Sequence, residues 1–183
     1  MQNKNSLRKK FYSIRKKKYF NISKNFLQPI NFLLKKKKKS KVFLSFYYPM
    51  EFEVNLINIL YKYNLKNINL LLPKIYPNKQ MKFHLWSQND LLEVNSFGAL
   101  EPLKSQKIHI PDVMLLPLLA FDKNRNRLGY GKGYYDRYLS KTSKKNNQII
   151  KIGIAFSFQE FKRIPVNSTD VKLDYILTEK GIL

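Results

Sequence analysis

The stretch RLGYGKGYYDRY, residues 127 to 138, concentrates residue types that handle phosphate. The chain has six glycines, and three of them, Gly129, Gly131 and Gly133, fall within five positions around Lys132. Glycines so spaced let backbone N–H groups approach anionic oxygens and tolerate φ > 0. Lys132 adds a point charge, and Arg127 a planar fork able to hold phosphate with two bonds. Asp136 would repel a bare phosphate and fits there only through a divalent cation that prefers oxygen ligands. A plain tight turn is the competing reading, with Tyr134 and Tyr135 packing a helix onto a sheet. The string lacks the GxxxxGK[ST] of a Walker loop, and its G-x-G-x-G spacing misses the third glycine of the dinucleotide motif.

A second cationic group lies near the start of the chain. Leu7, Phe11 and Ile14 recur at i, i+4 and i+7, a helical stripe. Lys4, Arg8 and Arg15 fall together on its flank, so a helix over residues 1–20 could clamp an anion or could be a solvated basic end. The first acidic residue is Glu51, and an acid-poor, basic start also suits a transit peptide.

Beyond this helix the pattern alternates. The run Lys35 to Lys39 reads as an exposed helix end or loop. KVFLSFYY (41–48) reads as a buried strand, and Glu53 to Tyr63 as an amphipathic helix through Val54, Ile57 and Leu60/Tyr61. NINLLLP (67–73) and MKFHLW (81–86) read as strands, and VMLLPLLAF (113–121) as a central strand with Pro117 at its end. A helix starts over Gly133 to Leu139, and IIKIGIAF (149–156) and LDYILT (173–178) are the last strands. Strands alternating with helices predict an α/β fold, a mostly parallel sheet flanked by helices in a Rossmann-like three-layer α/β/α arrangement. The glycine-rich stretch then follows a strand and opens a helix, where such folds place ligands.

Bulk properties narrow the function. At 183 residues the chain suits one domain, 1–183, with a real core. The absence of cysteine removes disulfides, thiolate nucleophiles and Cys-based zinc sites. Only His84 and His109 are available for a histidine metal site. No apolar run approaches the roughly 20 residues of a membrane span, and a reducing cytoplasm is expected. The balance of 35 Lys+Arg against 12 Asp+Glu, a formal +23, is that of a polyanion binder. The excess is mainly lysine and accompanies abundant Asn, Ile, Phe and Tyr, so A/T-rich codon usage is the competing source.

The longer phrase LLPLLAFDKNRNRLGYGKGYYDRYL (115–139) resembles the signature of the 5-formyltetrahydrofolate cyclo-ligase family. It carries Pro117, the Ala120-Phe121-Asp122 triplet, a hydrophilic turn, and then Arg127 through Arg137. KNSLRKK is similar to the family's Lys-x-x-x-Arg opening through Lys4 and Arg8, with Arg15 in the later basic position. That match leaves little room for a cleaved transit peptide. MEFEVNL is similar to the segment that carries the folate-contacting carboxylate, here Glu53, while LLPKIY, FGALEP (97–102) and IPVNSTDVKLDYILTE follow in family order. Asn55 and Leu56 stand where many members have an acidic residue and a threonine, and the family's glycine before Arg-Leu-Gly is replaced by Arg125 or Asn126.

The resemblance implies ATP-dependent closure of 5-formyltetrahydrofolate to 5,10-methenyltetrahydrofolate, with Mg²⁺. It implies that Lys4, Arg8, Arg127, Leu128, Gly129, Tyr130, Gly131, Lys132, Gly133, Tyr134 and Tyr135 contact ATP, with Arg127 and Lys132 acting on the transferring phosphate. Glu53, Tyr48, Tyr130 and Tyr134 would contact the folate, and Asp136 and Asp170 the metal. Phe83 and Trp86 could stack on the folate rings or belong to the core. The expected partners are these small molecules, for a monomer or weak dimer with no membrane attachment. The rivals are an RNA-binding protein, a member that has lost turnover, and another ATP-dependent ligase on the same scaffold. If the positive field steers anionic substrates, neutralising Lys35 to Lys39 lowers kcat/KM chiefly at low salt. Values unchanged across ionic strengths would remove steering from the account.

Overall fold

A computed structural model describes residues 3–37, 39–62, 67–103, 107–143 and 148–183. In chain order the helices are α1 (Lys4–Lys18), α2 (Asn31–Lys36), α3 (Ile57–Lys62) and α4 (Tyr134–Ser143). The strands are β1 (Val42–Ser45), β2 (Ile68–Tyr76), β3 (Gln80–Leu85), β4 (Leu92–Val94), β5 (Leu100–Pro102), β6 (Ile108–His109), β7 (Val113–Pro117), β8 (Ala120–Phe121), β9 (Arg127–Leu128), β10 (Ile150–Ile154), β11 (Tyr175–Thr178) and β12 (Gly181–Ile182).

Eight strands form the main sheet in the order β12-β11-β10-β7-β1-β2-β3-β6. The central pairings from β11 through β2 are parallel, while β12, β3 and β6 join antiparallel at the edges. β7 shows why both faces are covered: Val113 and Leu115 enter one apolar cluster, Met114 and Leu116 the other. With period-two side chains, a strand apolar at every position must be buried on both sides. Leu33 and Leu34 of α2 and Ile59 and Leu60 of α3 cover the first face, and Leu139 of α4 the second.

Several elements are shorter than their apolar patterns suggest. β1 ends at Ser45, and Phe46 and Tyr47 are buried in the core from irregular chain. α3 begins only at Ile57, so Glu53 lies before the helix and not in its first turn; Tyr63 lies outside the described residues. The 113–121 run is broken: the sheet strand stops at Pro117, and Ala120–Phe121 pair with Arg127–Leu128 as a separate hairpin. Proline offers no N–H to continue a ladder, which fits the break. After β11 a short antiparallel β12 adds a strand that the sequence reading did not include. Phe83 and Trp86 belong to the core, Phe83 against Tyr138 and Trp86 against Phe46 and Tyr61.

The basic run also has structural uses. Lys37 donates from Nζ to the Gln148 carbonyl at 2.7 Å, and Lys39 pairs with the buried Asp112 at 2.5 Å. Lys38 lies outside the described residues.

α1 follows the predicted stripe. The Asn3 side chain accepts the Ser6 N–H at its start, and Leu7 and Phe11 are buried against Leu119, Ala120, Leu128 and Ile164. Burial of these two side chains contributes about 1.5–3 kcal/mol each and seats the helix on the β8–β9 hairpin. Asp122 shapes that hairpin's turn, accepting N–H groups of Asn124, Asn126 and Ile164, each at 3.0 Å. Arg125 occupies the left-handed conformation (φ 62), so it, and not Asn126, stands where a glycine would be unstrained.

The β4–β5 hairpin is tied to β2 by charge. Lys74, 5% exposed, pairs with buried Glu101 at 2.8 Å and also with Glu93. Burial pulls the Lys74 ammonium's pKa down, but the two carboxylates outweigh this and hold it above its ordinary value. Glu101 further accepts the Ile75 N–H and the Asn95 amide. Glu101→Gln should destabilise the fold by about 3 kcal/mol, because it leaves a buried ammonium with one half-exposed partner. An unchanged midpoint in thermal melts would show that the pair does not hold the hairpin.

Candidate active site

The chain leaves β1 toward β2 on one side, and leaves β7 toward β10 on the other, so the sheet reverses its winding between β1 and β7. Open α/β sheets form a crevice at such a point, outside the carboxyl ends of the strands. Here that crevice is a cavity of about 1180 Å³. The segment after β1 supplies Tyr47, Tyr48, Met50, Glu51 and Glu53, and the end of β7 supplies Pro117. Cations come from α1 (Lys4, Arg8, Arg15) and from the β9–α4 region (Arg127, Lys132, Arg137). Apolar surface comes from Pro73, Ile75, Met81 and Leu100.

The glycine turn is held against α1. Arg8 donates from Nε to the Gly129 carbonyl at 2.9 Å, and a Cβ on Gly131 would sit 3.0 Å from the Arg8 guanidinium carbon. Gly131 has φ 93 and Gly133 φ 67, conformations that L side chains rarely adopt. Lys132 is exposed, its ammonium 5.1 Å from the centre of the Phe97 ring at the tip of the β4–β5 hairpin. Tyr134 meets Phe97 edge-on, and Arg137 lies over Tyr134. Leu128 is 1% exposed, its side chain committed to the core under α1. Tyr135 is half-buried beside Phe83, and burial pushes its phenol well above the ordinary range.

Both predicted metal carboxylates line the cavity, and the chain brings their segments together. Asp136 accepts the N–H of Val171, the residue after Asp170, at 3.1 Å. Each carboxylate holds a cation: Asp136 pairs with Arg127 at 2.7 Å, and Asp170 with Lys4. Arg127 is almost buried, its side chain 6% exposed, and its Nη1 has no hydrogen-bond partner among the described residues. Among the described residues there is no cluster of three or more His, Cys, Asp or Glu side chains suited to a metal.

Arg15 is the most buried cation of the α1 flank. It is 2% exposed and donates to the Tyr130 hydroxyl at 2.6 Å and the Glu51 carbonyl at 2.9 Å. Tyr130 in turn donates to Glu53 Oε1, and Glu53 Oε2 accepts the Met50 N–H at 2.8 Å. Burial raises the Glu53 carboxyl above the usual carboxylate range, partly offset by these bonds and by Arg15.

The sequence reading brought together Lys4, Arg8, Arg127 to Asp136, Tyr48, Glu53 and Asp170, all of which line this cavity. It missed Tyr12, Met50, Glu51, Phe97 and Arg137 as lining residues. Tyr12 had a signal: it lies one helical turn after Arg8, and its hydroxyl donates to Glu51 at 2.6 Å. Phe97 opens FGALEP (97–102), which follows the family order, but nothing local shows that the β4–β5 hairpin carries its ring to the cavity.

Fold and site together define an α/β protein whose switch-point cavity joins a cation-lined glycine turn to a buried carboxylate and an apolar wall. The sequence pattern of the 5-formyltetrahydrofolate cyclo-ligase family matches residues 1–179. A 5-formyltetrahydrofolate cyclo-ligase of Mycoplasma genitalium is 39% identical over 137 residues, 73% of this chain and 70% of the relative. That of Haemophilus influenzae is 30% identical over 140 residues, 73% of this chain and 74% of the relative. The solved 5,10-methenyltetrahydrofolate synthetase of Aquifex aeolicus superposes with TM-score 0.72 at 33% identity, covering 98% of this chain and 91% of its own. The Mycoplasma pneumoniae synthetase gives 0.71 at 27% identity, over 97% and 99%. The chain belongs to the 5-formyltetrahydrofolate cyclo-ligase family.

The raised Glu53 pKa has a sign that can be checked. The folded chain holds this proton more tightly than the unfolded one, so its contribution favours folding most below about pH 4 and declines as pH climbs toward the folded value. The stability of the native protein relative to Glu53→Gln should therefore fall as pH rises from about 4. A difference that stays flat in urea titrations across this window would mean the carboxyl is not desolvated.

Proposed function

We propose that this chain closes 5-formyltetrahydrofolate to 5,10-methenyltetrahydrofolate using ATP, with residues 1–183 acting as one catalytic domain in the cytoplasm. The observation that carries this reading is the meeting of two motif segments in one cavity. Tyr130 of the glycine turn donates its hydroxyl proton to Glu53, the carboxylate of the folate segment. A nucleotide phosphate on the turn and a folate beside Glu53 would then be neighbours.

The formyl oxygen is a poor leaving group. In the proposed reaction it attacks the terminal phosphorus of ATP, the bond to ADP breaks, and the formyl carbon becomes electrophilic. N10 then bonds to that carbon and loses its proton, and phosphate departs with the former formyl oxygen. Catalysis of phosphoryl transfer is mostly positioning and charge neutralisation. Arg127 keeps a buried donor, Nη1, with no partner among the described residues, and a phosphoryl oxygen would satisfy it. Lys132 would add charge from the exposed side, with Gly129, Gly131 and Gly133 offering backbone N–H groups. Lys4 and Arg8 would hold the nucleotide from α1. Glu53, Tyr48 and Tyr134 would contact the folate against the apolar wall.

The residues also fit Mg²⁺. Asp136 and Asp170 each commit one carboxylate oxygen to protein donors, and among the described residues the other has no donor. Oxygen donors of this kind suit a hard cation that keeps several waters and binds through phosphates. A bound Mg²⁺ would screen the charge on the transferring phosphoryl group.

Purified protein with 5-formyltetrahydrofolate and Mg·ATP should produce the absorbance of 5,10-methenyltetrahydrofolate, and only when ATP is present. Asp136→Asn should lower the rate at least about tenfold. No rise with folded protein would overturn the assignment of turnover, and an unaffected Asn variant would overturn the metal role.

A further inference from the structure

Arg15 has no task in the chemistry above, yet it is the most buried charge beside the cavity. Its guanidinium touches three separate segments. It donates to Glu51 in the β1–α3 connection, to Tyr130 in the glycine turn and, at 3.4 Å, to the Leu118 carbonyl after β7. It also lies over the Tyr130 ring at 5.5 Å. A hydroxyl has one proton and accepts through its lone pairs. With Arg15 donating to it, the Tyr130 hydroxyl is left to give its proton to Glu53. Tyr130 as a residue is 42% exposed, and its hydroxyl is held between Arg15 and Glu53.

We propose that Arg15 is a positioning residue whose Arg15–Tyr130–Glu53 chain couples the two ligand sites, so that nucleotide and reduced folate each strengthen binding of the other. The proposal rests on the cyclo-ligase reading for the identity of the two ligands. A nucleotide that orders the turn around Gly129 to Gly133 fixes Tyr130, and Tyr130 fixes Glu53 for the folate. The same chain acts in reverse, because coupling between binding sites is reciprocal. Arginine suits this junction and lysine does not: a planar fork reaches partners in several segments at once, whereas an ammonium is a single point.

The test is isothermal titration of 5-formyltetrahydrofolate with and without a non-hydrolysable ATP analogue and Mg²⁺. In the native protein the analogue should tighten folate binding on the order of tenfold, and the folate should tighten the analogue equally. Tyr130→Phe keeps the ring and removes only the hydroxyl; whatever each ligand's separate affinity becomes, the factor between them should fall to about one. Arg15→Lys should reduce it likewise. A merely structural role would shift both affinities without changing their ratio. A folded Tyr130→Phe protein that keeps the native factor overturns the proposal, as do two ligands that bind the native protein independently. If neither ligand binds folded native protein, the cyclo-ligase reading falls, and the coupling falls with it.

Discussion

Arg15, 2% exposed, needs compensation inside the protein and finds most of it in groups from distant segments, its Nε alone having no partner among the described residues. Removing a charge from water costs several kcal/mol unless its hydrogen bonds and counter-charge are supplied. The supply here is the Tyr130 hydroxyl with Glu53 behind it, and the Glu51 carbonyl. These bonds tie α1 to the glycine turn and to the connection after β1. All three segments line the cavity.

The same economy of charge recurs around the cavity. The chain carries 35 basic and 12 acidic residues, and several of the acids hold cations around the cavity and its walls. Asp170 holds Lys4, Asp136 holds Arg127, and Glu101 holds Lys74 under the hairpin that brings Phe97 to the rim. Two of these pairs line the cavity, so Lys4 and Arg127 are held in place there by protein carboxylates. A pre-oriented fork loses less freedom on binding than a mobile one. The rest of the basic excess is mostly solvated, apart from contacts such as Lys39 with Asp112.

Much of the layout was legible from local pattern. The Leu7–Phe11 stripe places α1, and the fully apolar 113–117 run places a central strand, because face and burial follow from period alone. Glycine spacing marked the turn at 129–133 because left-handed backbone admits few other residues. Element ends were less legible. Nothing local in KVFLSFYY shows that pairing stops at Ser45 while Phe46 stays in the core, and nothing in MEFEVN shows that the helix waits until Ile57. These limits are set by which neighbours a strand or turn meets.

What the sequence determined by itself was therefore the alternating α/β plan, the glycine-rich turn, its cations and carboxylates, and the family resemblance. Each depends on residues close in the chain or on their order along it. Tertiary structure decided what each charge does. The helical spacing groups Arg15 with Lys4 and Arg8, but the fold turns it inward to Tyr130, 115 residues away, and Tyr130 on to Glu53, 77 residues away. It also decided that Arg125 takes the left-handed position in the turn, and that Phe83 and Trp86 fill the core. Desolvation and partner choice depend on segments brought together only by folding, so residue spacing along the chain cannot encode them.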